Sequence, residues 1–220
     1  MATVTRKPRS GVVVLRQVPY EYYVQLTNAS ANRHLRMAYH DGTLEIVSPG
    51  LRQHEEPSVW FRWIVAAICR HRRIRFKCTA GTTFRRGGGA PLKGSGKEAD
   101  ESYYLANVGR LPVGRDPDLE AGDPPPDLWI EVDHRVSSKG RLPVYAKLGV
   151  PEVWRYRSKS KKLEFLRLVD GSYETIDQSL GLPMLTPSLA LEALALGENA
   201  DDLDLMDRLD DWVRRTFPID

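Results

Sequence analysis

The chain of 220 residues is long enough for one substantial domain or two minimal ones. Its 41% hydrophobic and 28% charged content excludes a disordered chain, and a net charge of +3 is too small to argue for nucleic acid by itself. Two cysteines, Cys69 and Cys78, exclude a disulfide framework and lack metal-ligand spacing, so both are expected as reduced thiols.

The N-terminus MATVTRKPRSGVVVLRQV is basic and then briefly apolar. Val12 to Leu15 is shorter than a secretory core, and no stretch approaches bilayer length, so a cytoplasmic protein with no membrane partner is expected. Residues 1–18 read as an extension, 19–185 as the main domain, and 186–220 as a helical tail packed on it. A helix is expected from Tyr20 to about Asn28. Leu35–Tyr39 and Thr43–Val47 read as strands around Asp41-Gly42, a strong hairpin signal. From about Glu56 to Arg73 apolar residues recur at helical spacing, with Pro57 tolerated only in the first turn.

Ile74–Cys78 and Thr82–Arg85 are short strand candidates. Gly87–Lys97, rich in glycine, reads as a mobile loop, and DESYYLA (100–106) as a strand. Val108–Pro126 is proline-rich without a period and reads as a surface excursion. DLWIEVD is a clear strand, with Leu128, Ile130 and Val132 on one face and Trp129, Glu131 and Asp133 on the other. A helix is expected over about Lys139–Leu148, and strands over Glu152–Tyr156, Leu163–Leu168 and Tyr173–Ile176. The tail from about Leu189 to Phe217 reads as helical. The pattern is that of an α/β or α+β domain with a mixed central β-sheet flanked by helices.

The charge is unevenly distributed. Arg70 to Lys77 and Arg155 to Lys162 are basic blocks that suit either a phosphate backbone or a solvated surface. Gly87-Gly88-Gly89 lacks the Lys-Ser/Thr ending of a phosphate loop. Trp154, Tyr103 and Tyr104 at strand period favour core packing over base stacking. Glu131 lies mid-strand between apolar neighbours, where an unpaired charge is costly. Two readings remain open for it: a carboxylate site for a hard cation such as Mg²⁺, or a buried ion pair with Arg141 or another base.

LRMAYHDGTLEIVSPG, His54-Glu55, TTF, EADESYY, PPPDLWIEVD, RLPVYAKLGVPEVWRY and DGSYE follow one another from about Leu35 to Leu185. In that order and spacing the chain resembles the Uma family of restriction-endonuclease-like proteins, within the PD-(D/E)xK nuclease superfamily. The resemblance implies a restriction-endonuclease-like core and an Mg²⁺- or Mn²⁺-dependent endonuclease acting on nucleic acid, with double-stranded DNA the expected substrate. It is compatible with a homodimer. By position, Asp100 and Glu131 match the two acidic metal ligands, the Val132 carbonyl is a further ligand, and His54 and Glu55 match a pair that contacts metal or water.

Two departures stand out. Asp133 occupies the place of the simple E-x-K lysine, and Arg141 stands where the family carries a lysine on the following helix. Arginine keeps its proton, so Arg141 suits electrostatic stabilisation or an ion pair with Asp133, and not a general base. Lys139 and His54 are the alternative bases. Two further functional readings follow: a nuclease-fold protein that binds nucleic acid without cutting it, and a nuclease directed at RNA.

Overall fold

The structure, a computed structural model, describes residues 3–4, 12–47, 56–133 and 137–219, with only the backbone of residues 3–4. His54 and Glu55 lie outside the described residues.

Among the described residues, twelve strands form two six-stranded sheets. The first runs β1 (Thr3–Val4), β2 (Val12–Arg16), β4 (Thr43–Val47), β3 (Arg36–His40), β7 (Gly94–Glu98), β6 (Thr83–Gly87), antiparallel throughout. The β3–β4 hairpin turns on Asp41 and Gly42, left-handed at φ 40° and 85°, as an Asp-Gly turn requires. Residues 12–16, which precede the expected domain start, pair with β4. Helix α1 (Tyr20–Asn28) lies on this sheet, with Tyr23 buried among Met37, Tyr39 and Leu44.

The expected mobile loop over Gly87–Lys97 is corrected, because its second half is β7, paired on both sides. The glycines there mark close approach. A Cβ on Gly96 would lie 2.4 Å from the Tyr23 hydroxyl, and one on Gly94 would lie 2.6 Å from the Tyr20 ring. Glycine in a strand is permitted where a neighbour must come this near.

The second sheet runs β12 (Ser172–Ile176), β11 (Lys162–Val169), β10 (Glu152–Arg157), β9 (Leu128–Asp133), β8 (Glu101–Tyr104), β5 (Lys77–Cys78). It is mixed, since β9 and β10 are parallel. Parallel neighbours need a crossover, and α3 (Leu142–Leu148) lies in it, preceded by a 3₁₀ turn over Ser138–Arg141. The helix expected from Lys139 is thus shorter, with Pro143 in its first turn and Gly149 ending it at φ 83°.

One face of the second sheet buries Leu128, Ile130, Trp154 and Phe165 against α2 (Glu56–His71), α4 (Pro187–Ala195) and α5 (Asp202–Thr216). Trp154 stacks on Phe165 with centroids 4.3 Å apart, and Tyr103 and Tyr104 are fully buried. These aromatics are core, not base platforms. The tail is two helices, and the strand expected over Ile74–Cys78 reduces to Lys77–Cys78. The opposite face buries Trp129, Val153 and Leu166 with Tyr145 and Leu148 of α3 and Phe84 of the first sheet. The observed class is α+β, with helices flanking a mixed sheet.

If Gly94–Glu98 is a strand packed on Tyr23, Gly96→Ala overpacks it and costs about 1–3 kcal/mol. Gly109→Ala, whose Cβ would meet nothing within 4 Å, should stay within about 0.5 kcal/mol of the parent. Urea denaturation of both variants checks this, and equal midpoints would remove β7 from the core.

Candidate active site

The chain passes from the first sheet to the second between Glu98, the end of β7, and Glu101, the start of β8. Asp100 sits on that junction. Across the first sheet the register aligns Glu45, Ala38, Lys97 and Phe84 in one row. Phe84 packs against Trp129, so this row faces the side of β9 that carries Glu131.

Glu131 is 3% exposed and Lys97 7%, too buried for either charge to stand alone. Lys97 Nζ donates to Glu131 Oε1 at 2.6 Å and to the Glu98 carbonyl at 2.8 Å. It also lies 5.8 Å and 5.9 Å from the Trp129 and Tyr145 ring centroids, within cation–π range. Trp129 Nε1 donates to the same Glu131 oxygen at 2.6 Å. Both donors act on Oε1, and neither occupies Oε2. Burial pushes the Glu131 carboxyl above the usual carboxylate range and the Asp100 charge adds to this, against the pull of Lys97.

The Asp133 carbonyl accepts from Ser158 N, on the β10 side, at 3.0 Å. Strand alternation therefore turns the Val132 N–H and C=O towards β8. There the Val132 N–H donates to Asp100 Oδ2 at 2.8 Å, so its carbonyl faces the Asp100 edge. Arg36 pairs with the other Asp100 oxygen.

Arg141 does not pair with Asp133, as one expectation had it. Its Nε donates to Glu45 Oε2 at 2.9 Å, because the row across the first sheet brings Glu45 to the end of the 3₁₀ turn. Burial opposes the Arg141 charge, but Glu131, Tyr145 and Glu45 outweigh it and raise its pKa. Asp133 Oδ1 accepts from Ser138 N at 2.8 Å, and burial raises its pKa. Lys139 is exposed. Tyr145 is fully buried and its hydroxyl has no partner among the described residues. Burial, and then Glu131, drive its pKa well above the usual value, so it stays protonated as a donor.

Asp100, Glu131, the Val132 edge and Arg141 are thus brought together, and Lys139 is left outside. Sequence reasoning missed Lys97, Glu45 and Tyr145 as site residues. A signal existed for Lys97, three residues before Asp100, but the surrounding glycines assigned it to a loop. Nothing in the alternating strand TLEIV sets Glu45 apart from an ordinary outward-facing residue.

Among the described residues no group of three or more His, Cys, Asp or Glu forms a metal cage. The oxygen set of Asp100, Glu131 Oε2 and the Val132 carbonyl nevertheless fits a hard divalent cation. Such ions commonly take one or two carboxylates and leave other positions to water and substrate phosphate.

Removing Lys97 strands a buried carboxylate. Lys97→Met should therefore cost about 3–5 kcal/mol at pH 7. A raised carboxyl pKa means stability is lost as pH rises through the folded-state value. Lys97→Met raises that value further, so its penalty should shrink towards pH 5. Urea denaturation at both pH values checks this, and an equal penalty at the two would contradict the pairing.

The profile of the Uma2 family, described as "Putative restriction endonuclease", matches residues 20–201, from α1 to the residue before α5. No curated protein matches the chain. The matched span includes Lys97, Asp100, Glu131 and Arg141, and the activity attached to the family is that of a nuclease acting on nucleic acid. No helix among the described residues is long and apolar enough to cross a membrane. The chain belongs to the Uma2 restriction-endonuclease family.

Proposed function

We propose that the protein is an Mg²⁺- or Mn²⁺-dependent endonuclease that hydrolyses phosphodiester bonds of DNA. The observation that carries this reading is the meeting of Asp100 and Glu131 at the junction of the two sheets, with Glu131 buried and held by Lys97. Hydrolysis adds water across one P–O ester bond, and its demands are a positioned water and compensation of charge on phosphorus. Asp100, Glu131 and the Val132 carbonyl would hold the metal, which when bound lowers the pKa of water and polarises the phosphoryl oxygens.

The protein's own groups prepare the site. Lys97 and Trp129 fix Glu131 through Oε1 and thereby orient Oε2. The Val132 N–H fixes Asp100. Arg141 keeps its proton and offers positive charge to a phosphate.

A second reading is favoured by the same contacts. Lys97 and Arg36 already neutralise Glu131 and Asp100, and Arg141 stands where the resemblance implies a lysine. The fold would then bind nucleic acid without cutting it.

A panel of DNA and RNA incubated with Mg²⁺, Mn²⁺ or EDTA separates these readings. The nuclease reading expects metal-dependent DNA cleavage, reduced at least ~100-fold by Asp100→Asn or Glu131→Gln. Binding without cleavage by the folded parent, gained on Arg141→Lys, would establish the second reading. RNA cleavage alone would correct the substrate.

A further inference from the structure

Two basic blocks stand out in the sequence, and the structure treats them differently. The first runs from the last turn of α2 into the segment after it. Arg70 pairs with Asp210 of α5, His71 Nε2 meets the Phe217 carbonyl at 2.6 Å, and Arg72 donates to the Pro218 carbonyl at 3.2 Å. These groups are spent on docking the C-terminal helix. They also lie beyond the α2 face of the second sheet, opposite the face that carries Glu131.

The second block lies on β10, β11 and the turn between them. Parallel pairing sets Arg155 beside Glu131 and Arg157 beside Asp133. Antiparallel pairing sets Glu164 beside Arg155 and Lys162 beside Arg157. In-register neighbours share a face, so these cations extend from the acidic pair across the same face and towards the same end of the sheet.

Their hydrogen bonding is incomplete. Among the described residues Glu164 receives Arg155, Arg157 and Lys162, three cations on one carboxylate, with Asp133 the other acidic group on this face. Among the described residues, Arg155 Nε and Nη1 and Arg157 Nε are buried donors without partners. Buried guanidinium donors are costly to leave unmade. The series also opens outward: Arg155 is 8% exposed in its side chain, Arg157 37% and Lys162 59%, with Lys159 exposed in the turn.

We infer that the β10–β11 hairpin, through Arg157, Lys159 and Lys162 with Arg155 behind them, is the track that binds the phosphodiester backbone leading to the Asp100–Glu131 site. The α2 block is not that track. This inference rests on the nucleic-acid reading of the site. Planar guanidinium forks suit phosphate oxygens, and Glu164 acts as the counter-ion that a phosphate displaces.

The test is fluorescence anisotropy of the full chain with a labelled DNA duplex and an RNA duplex of the same sequence, in EDTA across a salt series. The hairpin variant Arg157→Gln/Lys159→Gln/Lys162→Gln should weaken binding at least tenfold at 0.1 M salt. It should also flatten the log K against log salt slope by about 2–3, near 0.9 per lost contact. Arg72→Gln/Arg73→Gln/Arg75→Gln should change affinity less than about twofold. Glu164→Gln should tighten binding, whereas a purely structural role for that carboxylate would weaken it. The track is overturned if the α2 variant weakens binding as much as the hairpin variant, or if the hairpin variant keeps the parental slope. A folded parent that binds neither duplex would overturn the nucleic-acid reading with it. Tighter binding of one duplex decides between DNA and RNA as the source of the phosphates.

Discussion

A carboxylate in the middle of a buried strand has to be neutralised, and the rest of the site follows from how Glu131 is neutralised. Its counter-ion, Lys97, comes from the other sheet. The two sheets must therefore meet face to face where the chain crosses between them, and that crossing places Asp100 beside Glu131. The glycines of β7 let α1 press its tyrosines against the back of the strand that carries Lys97. Packing on one face of β7 and charge pairing on the other are thus two consequences of one short segment.

The same arrangement explains why the site can be polar without being unstable. Arg36 and Arg141 answer Asp100 and Glu45 as Lys97 answers Glu131, so the cluster is electrically balanced as it stands. A divalent cation bound there would compete with the resident side-chain cations for the same carboxylates. Glu131 Oε2, which neither Lys97 nor Trp129 uses, is the oxygen open to that exchange. Beyond Glu131, the face continues into Arg155 and Arg157 with donors unused among the described residues, whereas Arg70, His71 and Arg72 at the end of α2 hold the C-terminal segment.

Much of this architecture is legible in the sequence wherever local periodicity and burial agree. The Asp41-Gly42 hairpin, the long helix from Glu56, and the alternation of DLWIEVD each follow from one dominant local signal. So does the suspicion attached to Glu131. Lys97 was not legible because glycine composition argues for a loop, and only the tertiary approach of Tyr20 and Tyr23 turns that composition into a strand. The Arg141–Glu45 pair was equally hidden, since it joins residues 96 apart through a sheet register that no local pattern specifies. The acidic half of the site is local in sequence; its cationic half is tertiary.

The divalent-cation site proposed at Asp100 and Glu131 has to form in spite of Lys97. Calorimetric titration of Mn²⁺ into the metal-free full chain tests it most directly, alongside Asp100→Asn and Glu131→Gln. The predicted result is one Mn²⁺ per chain, with affinity lost in both variants while their folded spectra persist. Mn²⁺ binding of equal strength in the parent and in both variants, or none in the parent, would contradict it.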